Sequence, residues 1–139
     1  MTAVVTDQVE VVASRFLTFL ETGQPPPALF SPEVFCDFTM PAWRLQATGI
    51  KDVVALRLAG HPLPGQVPRH RLDPTPTGFV LEVEETWEDR GELWYCRELF
   101  RADVTDLGIT QLSAYCTGDW DSRRVTKPRS TDELGDGGA

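Results

Sequence analysis

Between Phe79 and Val104, apolar side chains recur at every second position, stop at a short polar break, and then recur again; no other feature limits the fold as strongly. Phe79, Leu81, Val83 and Trp87 share one face of the first run, and Trp94, Cys96, Phe100, Ala102 and Val104 share one face of the second. A period of two is that of a strand with one side against a core. Arg90-Gly91 supplies the turn between them. Closing a hairpin there sets Trp87 opposite Trp94, Glu85 opposite Cys96 and Val83 opposite Glu98, so that both apolar faces fall on the same side of one sheet.

This register has a chemical consequence. Glu85 and Glu98 are the only acids on the two apolar faces, and in the paired register they are diagonal neighbours, about 5 to 8 Å apart at their Cβ atoms. Two carboxylates so close in an apolar setting resist joint ionisation, which raises the pKa of at least one of them toward neutrality and suits proton transfer. The alternative is that each is compensated by a hydroxyl, an arginine or water.

Around this hairpin the chain predicts more antiparallel strands and two helices. Strands are expected at Val67 to Pro74 and Ile109 to Thr117, bounded by Pro74, Pro76 and Gly78 on one side and by Asp106-Leu107-Gly108 on the other. Val9, Val12, Ala13, Phe16, Leu17 and Leu20 recur at helical spacing, so a helix capped by Thr6 or Asp7 should run to Thr22 and stop at Gly23. Ser31-Pro32-Glu33 suggests a short helical turn before a strand from Val34 to Met40, and Trp43 and Arg44 fall in a loop. A second helix follows Gly49 and ends at Gly60. From Arg124 the composition cannot bury itself, which divides the chain into one domain over 1–123 and a disordered tail over 124–139.

With 139 residues, one domain with a real core is expected. The formal net charge of −8 excludes a phosphate-backbone binder, so no nucleic-acid partner is expected. No apolar run approaches the roughly 18 residues of a membrane span, and no basic segment leads into an apolar one, so a cytoplasmic location without membrane contact is the expectation. Cys36, Cys96 and Cys116 lie in strand-like runs without Cys-x-x-Cys spacing, which predicts neither zinc nor disulfides but small buried side chains. No metal and no cofactor are expected.

The order helix, short helix, strand, helix, four-stranded antiparallel meander resembles the cone-shaped domains of the nuclear transport factor 2 superfamily, which includes SnoaL-like polyketide cyclases and ketosteroid isomerases. The residues that carry the resemblance are Ala28 to Phe38, Gly49 before the second long helix, and the closing hairpin Asp103 to Cys116. It implies an α+β fold in which a curved antiparallel sheet wraps over N-terminal helices to form a cone with one deep pocket. The two catalytic aspartates of the isomerases fall on Phe38 and Phe100 here, neither an acid, although a one-residue slip would turn Asp37 inward.

The expected site therefore combines Glu85 and Glu98 as acid and base, His70 as the partner that tunes or shuttles the proton, and Asp37 in reserve. A four-residue turn at Thr75 to Gly78 pairs His70 with Val83 and sets it diagonal to Glu85, whereas a three-residue turn would point Arg69 and Arg71 inward instead. His61 is expected at the pocket rim. Phe16, Phe38, Met40, Trp43, Phe100 and Leu112 form the expected walls around a small hydrophobic or aromatic molecule. The implied activity is cofactor-independent dehydration, isomerisation or cyclisation; the alternatives are a non-catalytic binding or scaffold protein and a hydrolase that activates water. A homodimer through the outer sheet face, at Ile109, Gln111, Ser113 and Tyr115, is the expected assembly.

Overall fold

The computed structural model describes residues 2–126, so the expected tail beyond residue 126 lies outside the described residues. Residues 124–126 belong to a short helix, α3 (Ser122–Thr126). The remaining elements are α1 (Thr2–Thr22), β1 (Phe30–Met40), β2 (Trp43–Thr48), α2 (Ile50–Gly60), β3 (Gln66–Pro74), β4 (Gly78–Asp89), β5 (Glu92–Thr105) and β6 (Gly108–Cys116). The six strands form one open sheet in the order β2-β1-β6-β5-β4-β3. Its pairings are antiparallel except that β1 runs parallel to β6, so the sheet is mixed rather than wholly antiparallel.

The hairpin register expected from the sequence is the observed one. Trp87 pairs with Trp94, Glu85 with Cys96 and Val83 with Glu98. The same alternation that predicts the strands fixes this pairing, because a slip by one residue would turn every apolar side chain to water. Between β5 and β6 the tight turn depends on Gly108, whose φ is 105° and where an added Cβ would lie 2.6 Å from the Leu29 carbonyl oxygen.

Helix α1 lies across the concave face with Val9, Val12, Ala13, Phe16, Phe19 and Leu20 buried, a stripe set by the helical period. Gly23, at φ 74°, ends it and donates its N–H to the Phe19 carbonyl. The Phe16 ring meets Phe100 of β5 edge-on at 4.7 Å, which locks helix to sheet, and tilts against Phe19 of its own helix at 6.1 Å. Each phenyl ring so buried is worth about 1.5 to 3 kcal/mol.

Several local expectations are corrected. Ser31-Pro32-Glu33 forms no helical turn, because β1 already starts at Phe30. Trp43 and Arg44 lie in a strand, β2, not in a loop. Ile109 is fully buried in the core, since irregularities in the β5–β6 and β1–β6 pairings turn it inward, and it is not part of an outer dimer face; Gln111 and Tyr115 are exposed. Among the described residues, no helix is long and apolar enough to cross a membrane.

Candidate functional site

Glu85 and Glu98 reach the concave side of the sheet as their positions in the alternation demand, with relative exposures of 4% and 2%. A guanidinium stands between them. Arg57, from α2, donates through Nη1 to Glu98 Oε1 at 2.9 Å and through Nη2 to Glu85 Oε1 at 2.5 Å. Nη2 also donates to the Leu20 carbonyl at 3.0 Å, which ties the C-terminal part of α1 into the network. The expected free pair of acids is thus corrected: both are buried, and both are bonded to one fixed arginine.

The histidine that joins them is His61, not His70. His61 Nε2 lies 3.1 Å from Glu98 Oε1 with its side chain only 7% exposed, and its ring meets Trp87 edge-on at 5.4 Å. His61 caps α2 and donates its backbone N–H to the Arg57 carbonyl at 2.8 Å, so the helix end positions both cations together. His70 pairs with Val83 and Leu72 with Leu81, as the four-residue turn requires, yet His70 is exposed. It lies on β3, the edge strand, with only one neighbouring strand. Arg69 and Arg71 are exposed as well.

Asp37 points away from this cluster. Its carboxylate receives Arg44 Nε at 2.9 Å and Nη2 at 2.6 Å across β1 and β2, which holds its pKa below the usual range. Trp43, 66% exposed, is no pocket wall. Phe16, Phe38, Phe100 and Leu112 do line an interior hollow together with Arg57, and Met40 packs half-buried at the edge of the core. The hollow is a cavity of about 20 Å³, room for about one water, so the deep pocket expected from the sequence is almost filled by aromatic side chains. A larger open cleft of about 570 Å³ runs between β2 and α2 past Gln46, Thr48 and Asp52, and it contains none of the buried acids.

Two thiols complete the cluster. Cys96 donates its S–H toward Glu85 Oε2 at 3.6 Å, and Cys116 accepts the backbone N–H of Gly118 at 3.4 Å. Because Cys116 is the cross-strand partner of Glu98, and Cys96 precedes Glu98 by two on the same strand, all three project from one face of β5 and β6. One ligand atom from each of His61, Cys96, Glu98 and Cys116 lies within 4.8 Å of every other. Sequence spacing hides this set, since its members come from a helix end and two strands.

Electrostatics sort the groups. Burial, followed by the neighbouring Glu98, pushes Glu85 up to about 7. Burial opposes ionisation of Glu98 too, but the neighbouring Glu85 carboxyl, His61 and the charge of Arg57 outweigh it and hold its pKa below 4.5. Against the same penalty, hydrogen bonds with Cys116 and Glu98 raise His61 to about 9. Cys116 is brought down to about 5 by the neighbouring Cys96 thiol, opposed by burial and helped by His61 and the Gly118 N–H. Cys96 is raised in turn.

No protein-family model matches the chain, and no curated protein does. Solved structures do resemble it. A nuclear transport factor 2-like protein from Anabaena variabilis superposes with a TM-score of 0.66 at 16% identity, covering 83% of this chain and 90% of its own. A provisionally named polyketide cyclase from Xanthomonas campestris gives 0.62 at 13% identity over 78% and 90%. A phenazine biosynthesis-related protein from Pseudomonas aeruginosa gives 0.62 at 10% identity over 83% and 78%. At these identities the likeness establishes the architecture, and chemistry has to be argued from the site.

Proposed function

We propose that this chain, which has the nuclear transport factor 2-like fold, takes up a small, largely apolar molecule bearing one oxygen-centred polar group and moves a proton on it. The observation that carries this reading is the double position of Arg57, which lines the apolar hollow and also holds Glu85 and Glu98. A guanidinium at the end of an apolar cavity polarises a carbonyl or enolate oxygen. Behind it, Glu85 has a pKa of about 7, the range in which a carboxyl both gives and takes a proton near neutral pH.

Burying so many ionisable groups costs stability that well-packed apolar residues would not, and such clusters concentrate at functional sites. The resemblance to a provisionally named polyketide cyclase adds the weight of analogy alone. Dehydration, isomerisation and cyclisation all begin with the same proton abstraction beside a carbonyl. A second reading, non-catalytic holding of such a molecule, is favoured by one observation: Arg57 already occupies both carboxylates, and the hollow must widen to admit a ligand.

The test is a panel of small apolar ketones in deuterated water, followed by NMR of both protein and ligand. Shifts at Phe16, Phe100 and Leu112 together with deuterium entering the carbon beside the carbonyl are expected. Binding without exchange supports the holding role, and oxygen from labelled water appearing in the product supports hydrolysis. Absence of any binding across the panel overturns both pocket readings.

A further inference from the structure

We propose that His61, Cys96, Glu98 and Cys116 form a four-coordinate site for a zinc-class divalent cation. The donors are two sulfurs, one imidazole nitrogen and one carboxylate oxygen, mutually within 4.8 Å, a set of the kind that closes tetrahedrally on a borderline-soft ion. Bond lengths of about 2.0 Å to N and O and about 2.3 Å to S require only a modest inward contraction from that spacing.

A second, independent feature points at a missing partner. Glu98 Oε1 is engaged by Arg57 and His61, while Glu98 Oε2 is buried without any hydrogen-bond partner on a side chain that is fully inaccessible. An orphaned carboxylate oxygen in a protein interior costs about 1 to 3 kcal/mol or more, and a cation bound there removes that cost. Glu98 can coordinate through Oε2 while Oε1 keeps its bond to Arg57.

The scaffold is suited to the task. Cys96 and Glu98 share one face of β5, Cys116 sits across from Glu98 on β6, and His61 closes the set from the end of α2. Three ligands thus stand on adjacent, hydrogen-bonded strands, and Arg57 becomes the outer partner that orients Glu98. Metal binding displaces the protons of the imidazole and of the Cys96 thiol to solvent, and the ion's charge takes the place of the imidazolium beside Arg57. The two thiolates then offset the ion, so the cluster stays close to neutral. Proton transfer on a ligand is not a premise of this site: zinc binding and ketone exchange are read separately, and either can fail alone.

Cobalt serves as the spectroscopic probe. The full chain, reduced and freed of metal, is titrated with Co²⁺ and then back-titrated with Zn²⁺. The expected result is one equivalent bound with a thiolate-to-cobalt charge-transfer band and tetrahedral visible bands, both erased by zinc. Cys36→Ser, which alters the thiol outside the cluster, should leave the spectrum unchanged. Cys116→Ser and Glu98→Gln should each weaken binding by at least about tenfold. Wild-type protein that binds cobalt without the thiolate band, or not at all, overturns the site whatever the variants do; so does retention of full affinity by a folded Cys116→Ser chain.

Discussion

Arg57 Nη2 lies 2.5 Å from Glu85 Oε1 in the interior, and the same guanidinium reaches Glu98 through Nη1. Two buried carboxyls therefore share one guanidinium. Replacing Arg57 with methionine keeps much of the volume but takes the guanidinium from Glu85 and leaves Glu98 to His61, which should cost about 3 to 5 kcal/mol in chemical denaturation. The double variant Arg57→Met, Glu85→Gln should recover part of that loss. Additive losses in the double-mutant cycle would show that the two side chains do not interact.

Glu85 makes the stability of the metal-free, reduced protein pH-dependent in a definite direction. Its folded pKa, about 7, lies above the ordinary 4.5, so the folded state binds the proton more tightly than the unfolded one. The resulting stabilisation is complete below pH 4.5 and fades as pH rises through 7. Cys116 acts oppositely over an overlapping range, because its pKa is lowered from 9.0 to about 5. The quantity to follow is thus the difference in unfolding free energy between wild type and Glu85→Gln, which should shift against the wild type between pH 4.5 and 7. A difference that stays flat across this interval would mean that Glu85 titrates normally.

The sheet and the convergence of the two acids were legible in the sequence, because alternation fixes register and register fixes neighbours. Arg57 was not. The apolar residues of α2 are spread around the helix, and only Val53 and Arg57 are buried, so the meaningful spacing is Val53 to Arg57 at i, i+4. An arginine at that spacing was the available signal. His61 carried no periodic signal at all, since a helix-capping loop has none, and its partner Glu98 lies on a strand far along the chain. β2 escaped for a different reason: Trp43, Leu45 and Ala47 do alternate with Arg44, Gln46 and Thr48, but the run is six residues long, follows Pro41-Ala42 directly and is nearly all exposed, so its alternation marks no core face. The cysteines read as packing residues because their assembly is set by cross-strand pairing and not by spacing.

Phe16 controls the size of the hollow. It packs against Phe100 and is fully buried, so Phe16→Ala should cost about 3 to 5 kcal/mol while enlarging the cavity beside Arg57. An apolar cavity of that kind takes up benzene-sized guests. Benzene should therefore raise the melting temperature of the variant and leave the wild type unmoved, as seen by calorimetry in matched solutions. Equal response of both proteins would mean that the wild-type interior is already open to such guests.

The three thiols should differ sharply toward an alkylating reagent. Thiolate is the reacting form, and its abundance at pH 7 follows the pKa of each group. Cys116, brought down to about 5 and only half-buried, should be ionised and accessible. Cys36 is pushed up to about 12, first by burial and then by Asp37 and Glu98, and Cys96 is raised as well; both are buried. Limited treatment of the reduced, metal-free chain with iodoacetamide, read by peptide mass spectrometry, should label Cys116 first. His61→Ala removes one of the groups that stabilise its thiolate, so labelling of Cys116 at pH 7 should slow in that variant and recover as pH is raised. Preferential labelling of Cys36, or indifference of Cys116 to the loss of His61, would contradict the assigned ionisation of the cluster.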